Sequence, residues 1–276
     1  MTATAAPPRR VAAGAVPRIM IVGDSISQGR DGDRTWRYRL WQEFRWRGVT
    51  ATLVGPWQGT WFPPAGHPGD TPAAPDDPRH AGRYRPGADF PERRHYASWG
   101  RLLREARDNI GGAVAAHRPA CLMVALGFND LAWGVSGPGA LLADLAGFLD
   151  AARAAEPGMR LLVANVVHRT PLAGRPQIAR DIAAYNRRLP AVLAGLSTPR
   201  SPLTLVDLAA RYDPFRDSYD GVHPNASGEL KIAAAFAAAY TAAPGPGRSR
   251  SVHRTGAVRR DVRPRGPVPV LAAPAR

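Results

Sequence analysis

Short apolar runs alternate with longer segments of helical periodicity along most of this chain. Ile19-Met20-Ile21-Val22, Ala51-Thr52-Leu53-Val54, Cys121-Leu122-Met123-Val124-Ala125-Leu126, Leu161-Leu162-Val163-Ala164 and Leu203-Thr204-Leu205-Val206 are continuous rather than alternating. Runs of this kind and length predict strands buried on both faces. Between them, apolar positions recur three and four residues apart. Residues 36–47 put Trp36, Leu40, Trp41 and Phe44 on one side, and residues 139–155 do so with Leu141, Leu142, Leu145, Phe148 and Leu149. Helices are also expected over residues 99–116, 178–196 and 227–239. The alternation predicts an α/β fold, a five-stranded parallel sheet between helical layers in a three-layer α/β/α sandwich.

Two stretches break the pattern. Residues 56–98 hold nine prolines and little periodicity. Irregular segments of that length inside a domain are often lids or binding loops. Trp57, Trp61, Phe62 and Tyr84 lie in this stretch, either as an aromatic platform for a substrate or as packing that holds the loop down. Residues 241–276 are rich in Pro, Gly and Arg and read as a disordered basic tail. One domain is therefore expected over residues 18–240, after a flexible segment over 1–17.

The net charge is +15, and residues 241–276 alone contribute eight Arg against one Asp. Lys231 is the only lysine. Arginine, alanine, glycine and proline enriched together suggest a coding bias more than a polyanion-binding surface. No aromatic-interleaved basic repeat is present, which argues against nucleic acid as a partner. No apolar run approaches the roughly 18 residues of a membrane span. Residues 1–18 lack the apolar core of a secretory signal, so a cytoplasmic protein is expected, and a secreted one if the true start lies upstream. The single cysteine, Cys121, sits in an apolar run and reads as a small buried hydrophobe. His67, His80 and His95 show no metal-ligand spacing, and no metal is expected.

Two motifs carry the chemistry. Gly23-Asp24-Ser25-Ile26-Ser27 ends the first apolar run, and Asp220-Gly221-Val222-His223-Pro224 precedes the last helix. Acyl transfer needs a nucleophile, a general base and a group that fixes the base's tautomer. Ser25, His223 and Asp220 supply those three types. A tetrahedral oxyanion needs donors, which the Ser25 N–H, the Gly100 N–H and the Asn129 side chain can provide. Ser25, Asn129 and the loop carrying Asp220 and His223 each follow a predicted strand, at the carboxyl edge where such sheets bind ligands. Asp24 reads mainly as a brace for the nucleophile turn, with substrate contact as a secondary role. His168 follows the fourth run on the same edge, as a pocket residue or an ordinary loop residue.

On these blocks the chain resembles the SGNH, or GDSL-type, hydrolase superfamily. The matching blocks are Gly23-Asp24-Ser25, the Gly100 region, Gly127-Phe128-Asn129-Asp130 and Asp220-Gly221-Val222-His223-Pro224. The second block reads His95-Tyr96-Ala97-Ser98-Trp99-Gly100, without the family's usual small-residue turn. Arg37-Tyr38-Arg39-Leu40, Leu53-Val54-Gly55, Ala184-Tyr185-Asn186 and His223-Pro224-Asn225 resemble the acetyl xylan esterase type of carbohydrate esterase. The resemblance implies a flavodoxin-like sandwich over residues 18–240, no cofactor, and hydrolysis of esters or acetyl groups. The expected protein is a monomeric serine esterase for a small substrate carrying a short acyl group, acetyl first, with carbohydrate as one candidate carrier. A lipase or thioesterase using the aromatics of residues 56–98 as an acyl wall is the alternative. A non-catalytic binding module fits less well, because Ser25, Asp220 and His223 are all intact.

Overall fold

Five apolar runs do become parallel strands: β1 (Arg18–Gly23), β2 (Thr52–Val54), β4 (Cys121–Ala125), β5 (Arg160–Ala164) and β6 (Leu203–Val206). In this computed structural model, which describes residues 16–62 and 78–242, their order is β2-β1-β4-β5-β6. β1 is an interior strand, and Ile19, Met20, Ile21 and Val22 are fully buried, which explains why its sequence does not alternate. A sixth strand, β3 (Tyr96–Ala97), was not expected. It pairs Val22 with Tyr96 and Gly23 with Ala97, taking over the edge of β1 that β2 serves from Arg18 to Met20. Two residues are too few to register as an apolar run. The second described part of this stretch, residues 78–98, therefore returns to the sheet and delivers residues 98–100 to its carboxyl edge.

The chain leaves β1 for β2 on one side and later crosses to β4 on the other. This reversal opens a crevice at the carboxyl ends of β1 and β4, the usual ligand position in an open α/β sheet. Helices α2 (Thr35–Trp46) and α8 (Ala226–Ala242) pack together in one layer, where Trp36 stacks on Phe236 with ring centroids 4.9 Å apart. Helices α3 (Leu103–His117), α5 (Pro138–Ala155) and α6 (Gln177–Leu196) form the other, α5 lying between its two neighbours.

Three one-turn helices carry the carboxyl edge: α1 (Ser25–Gln28), α4 (Phe128–Ala132) and α7 (Pro214–Asp217). They are too short for periodicity to reveal them. The helix expected from residue 99 starts later, at Leu103. Gly100 has φ of 76°, a left-handed conformation that suits glycine and keeps residues 98–102 out of the helix. Both carboxylate oxygens of Asp130 accept the Leu103 N–H, at 2.9 and 3.2 Å, and so start the helix from a different element. Cys121 is buried in β4, where burial pushes its thiol up to about 12. His67 and all but the first two residues of the basic tail lie outside the described residues.

Candidate active site

The turn from β1 into α1 places Ser25. Asp24 is the N-cap of α1, and its Oδ1 accepts the Ile26 N–H at 2.9 Å. It is 1% exposed. Asp24 therefore braces the turn, and the expected secondary role in substrate contact does not fit its burial. That burial pushes the carboxyl up to about 7; the Ile26 N–H opposes the rise and nearby Asp130 adds to it. Glycine at position 23 is required, since a Cβ there would collide with the Ser27 side chain.

Two buried side chains hold α1 from behind. Arg37, fully buried, donates to the carbonyls of Ser27 at 2.7 Å, Gln28 at 2.9 Å and Arg93 at 3.0 Å. Gln28 accepts the Trp99 N–H at 2.6 Å and donates to Arg79 O at 3.2 Å, with its amide nitrogen 2.9 Å from His80 Nδ1. The helix carrying Ser25 is thus fastened to the returning loop at both ends. Neither residue stands out in the sequence as a candidate. Residues that act through partners far away in sequence leave no spacing signature.

The second motif forms a tight loop between α7 and α8. Asp220 Oδ1 accepts the backbone N–H groups of Val222 at 3.0 Å and His223 at 2.8 Å. Its Oδ2 lies 2.6 Å from His223 Nδ1. Gly221 has φ of 89°, and a Cβ on it would collide with the Thr170 hydroxyl. Asn225 closes the loop, donating to Arg216 O and Ser218 O while its Oδ1 accepts two amides in the first turn of α8. His223 Nε2 then stands 3.0 Å from Ser25 Oγ.

The protons follow from these partners. An ionised carboxylate only accepts, so Nδ1 carries the imidazole proton and Nε2 is left to accept from the Ser25 hydroxyl. Burial works to raise the Asp220 carboxyl. The His223 ring and the His223 and Val222 amides outweigh it, and the net effect holds Asp220 below its ordinary value. Two distant parts of the chain therefore form a continuous relay of hydrogen bonds, with the hydroxyl aligned to give its proton to Nε2.

The other candidate donors lie on adjoining turns. Ser98 N–H donates to Gly23 O at 3.1 Å, which ties the Gly100 turn to the end of β1. Asn129 Nδ2 donates to Arg101 O at 3.2 Å. One N–H of that amide thus fixes its orientation, and the second remains for a ligand. A cavity of about 530 Å³ opens beside Gly100, with Arg101, Arg104, Glu105 and Asn109 in its wall together with Trp99 and Trp133.

The aromatics of residues 56–98 divide. Trp57 is 4% exposed, stacked on His80 at 4.2 Å and on Tyr96 at 5.1 Å. Tyr84 meets Phe90 edge-on at 5.3 Å and donates its hydroxyl to Gln58 O at 3.0 Å. Both therefore pack the loop, one of the two readings the sequence left open, and Trp57 also lines the cavity beside Gly100. Phe62 is 49% exposed. Trp61 stacks on Trp99 at 4.2 Å, Trp99 on the His223 ring at 4.6 Å, and Tyr219 flanks His223 at 5.8 Å. The imidazole is therefore held between two aromatic rings, neither of which the motifs single out. The signal is adjacency: Trp99 precedes Gly100, and Tyr219 precedes Asp220. His168 is half-buried after β5, two residues before Thr170, whose N–H donates to Gly221 O at 3.0 Å. His95 is buried, its ring nitrogens 2.9 Å from Gly59 O and 3.1 Å from the Ala97 amide. Among the described residues no cluster of three His, Cys, Asp or Glu is arranged to hold a metal.

A parallel sandwich with a Ser-His-Asp relay at its switch point has the geometry of a hydrolase built for acyl transfer. The GDSL-like lipase/acylhydrolase family model matches residues 21–230, and the chain belongs to that family. Among curated proteins, none matches the sequence significantly. Among solved structures, a mutant acetyl esterase with acetate ion is 23% identical, with a TM-score of 0.65, covering 82% of this chain and 97% of that one. A carbohydrate esterase family 3 protein from Talaromyces cellulolyticus is 24% identical, with a TM-score of 0.63 over 82% and 97% of the two chains. A family 3 carbohydrate esterase from Clostridium thermocellum is 22% identical, with a TM-score of 0.62 over 83% and 96%. The chain is thus an esterase of the GDSL group, a hydrolase acting on ester bonds. No helix among the described residues is long and apolar enough to cross a membrane.

Proposed function

We propose that the protein removes short acyl groups, acetyl above all, from a small hydroxylated carrier such as a sugar, through an acyl-enzyme on Ser25. The observation that carries this reading is the relay Ser25 Oγ to His223 Nε2 at 3.0 Å and His223 Nδ1 to Asp220 Oδ2 at 2.6 Å. His223 takes the hydroxyl proton as Ser25 Oγ attacks the ester carbonyl carbon. The carbonyl oxygen becomes an oxyanion, held by the Ser25 and Gly100 N–H groups and the Asn129 amide. Collapse of the tetrahedral intermediate breaks the bond to the alcohol oxygen, which takes the proton from His223. Water then attacks the acyl-enzyme by the same route and releases the acid. Asp220 keeps the imidazole in one tautomer and stabilises the imidazolium.

Two features favour a short acyl group over a long one. The cavity beside Gly100 mixes Arg101, Arg104, Glu105 and Asn109 with Trp57, Trp99 and Trp133 in its wall, a lining less suited to a long alkyl chain than an apolar one. Tyr84, packed on Phe90 with its hydroxyl on Gln58 O, is withdrawn from the aromatic wall that a lipase or thioesterase reading needs. The acetyl esterase among the structural neighbours points the same way, and the carbohydrate esterases there suggest the sugar carrier. Two measurements test the proposal together. Across p-nitrophenyl esters, kcat/KM is expected to be highest for acetate and to fall with chain length, and Ser25→Ala is expected to lose at least about 10⁴-fold in kcat. A preference for octanoyl esters would transfer the site to the lipase class, and a folded, active Ser25→Ala would remove the nucleophile.

A further inference from the structure

Beside Tyr219, four arginines line one small cavity. Its volume is about 180 Å³, and Arg30, Arg34, Arg39 and Arg85 share its wall with Asp33 and Glu229. Four cations against two carboxylates leave an excess of two positive charges in a space the size of one functional group. The carboxylates are already committed. Glu229 accepts the Thr35 N–H at 2.7 Å and pairs with Arg39 at 3.3 Å, and Asp33 Oδ2 accepts the Arg30 backbone N–H at 2.8 Å. Arg85 Nε donates to Gly32 O at 3.2 Å.

Arg30 and Arg34 are different. Among the described residues neither guanidinium lies in a salt bridge. Arg34 Nε is buried with no hydrogen-bond partner. A buried donor left unpaired carries a desolvation cost that a ligand acceptor would relieve. The Arg30 guanidinium rests 4.6 Å above the Tyr219 ring, and the other neighbour of that ring is His223. Tyr219 therefore lines the cavity and also stacks on the imidazole, its ring centroid 5.8 Å from that of His223. His223 delivers its proton to the leaving oxygen, so the alcohol portion of the ester is the part of the substrate that meets this imidazole.

We propose that this arginine cavity is a specificity subsite for an oxyanion, a carboxylate or a phosphate, carried on the alcohol portion of the ester substrate. Paired guanidinium forks suit such groups, whose planar or tetrahedral oxygens accept two N–H bonds at once. The inference rests on the esterase reading, and it narrows the substrate class from acylated carriers in general to anionic ones.

The test compares kcat/KM on three acetates: an acetylated methyl glucoside, the matching glucuronoside, and the matching glucoside 6-phosphate. The wild-type protein is expected to favour at least one anionic ester by about tenfold or more over the neutral one, the range of a charge-assisted hydrogen bond. Which anion gains identifies the source of the charge. Arg34→Met and Arg30→Gln, each checked for an unaltered melting curve, are expected to bring that ratio towards one. Added salt should compress it as well. A wild-type ratio near one for both anions, or a preference that survives in both variants, overturns the proposal. If p-nitrophenyl acetate is not hydrolysed at all, the esterase reading fails instead. Titration with inorganic phosphate then decides on the cavity: binding that Arg34→Met weakens supports it, and no binding overturns it.

Discussion

Replacing Asp220 by Asn alters one atom at the point where the relay is tightest. Oδ1 of the carboxylate holds the Val222 and His223 amides, and the asparagine carbonyl can keep both bonds. The loop should therefore retain its shape, with a stability loss on the order of 1 kcal/mol and a few degrees in Tm. At Oδ2 the change reverses a donor and an acceptor. An amide nitrogen 2.6 Å from His223 Nδ1 can only donate, which favours the tautomer with the proton on Nε2. That ring cannot accept the Ser25 proton. Loss of a triad carboxylate in this way can cost roughly 10⁴-fold in kcat. The Asp220 side chain is 42% exposed, so water replaces part of its field, and the expected loss is about 10²- to 10⁴-fold, or roughly 3–5 kcal/mol of transition-state stabilisation. Steady-state hydrolysis of p-nitrophenyl acetate by the purified variant, with Tm as the control for folding, measures it. Because Asp220 is held below its ordinary value when folded, its contribution to stability is present at neutral pH and is lost as the pH falls through the lowered value. The variant should lack that acid-side slope. A folded Asp220→Asn with kcat within about tenfold of wild type would refute the orienting role.

Other perturbations separate the packing residues from the reacting ones. The Asp24 carboxyl, raised to about 7 when folded, binds its proton more tightly than in the unfolded chain, so its contribution to stability declines as the pH rises towards 7. Asp24→Asn keeps an acceptor for Ile26 and cannot ionise; its Tm relative to wild type should be higher at about pH 8 than at about pH 5, and an equal difference at both would contradict the buried ionisation. Trp57→Ala should lower Tm sharply, by about 3–5 kcal/mol of stability, whereas Trp61→Ala should leave Tm near wild type and change KM or kcat; the reverse pattern would show the two roles exchanged. Truncation after Ala242, beyond the Tyr240 carbonyl that Arg160 holds at 2.9 Å, should leave Tm and kcat/KM unchanged, and a fall in Tm would show that the tail docks.

Most of this architecture is legible because its strands are buried on both faces. Ile19 to Val22 and Leu161 to Ala164 have no polar member to blur them, and the long helices repeat their apolar positions over several turns. Ser25, Asp220 and His223 are legible for another reason: nucleophile turns and Asp-Gly loops put these residue types at fixed local spacing. What escapes is either too short or too indirect to leave a pattern. β3 contributes two residues, and α1, α4 and α7 are single turns. The periodicity of Trp99, Leu102 and Leu103 draws Gly100 into a helix, and only its left-handed backbone takes it out. Trp57 and Tyr84 look no different in sequence from Trp61 and Phe62. Their separation depends on which side of the returning loop faces Tyr96 and Phe90, a long-range fact. Gln28 and Arg37 act by hydrogen-bonding backbone groups from segments far apart in sequence, and no local rule marks such residues.

The central claim is that Ser25 is the group acylated. A fluorophosphonate reacts with a serine only where a base and oxyanion donors activate it, and the adduct is stable enough to be located by peptide mass. Treatment of the intact protein should add one phosphonyl group, on the peptide that carries Ser25, with loss of esterase activity in the same proportion and no addition to His223→Ala. A protein that stays unmodified while it turns over p-nitrophenyl acetate, or one that carries the adduct on a different residue, would contradict the account.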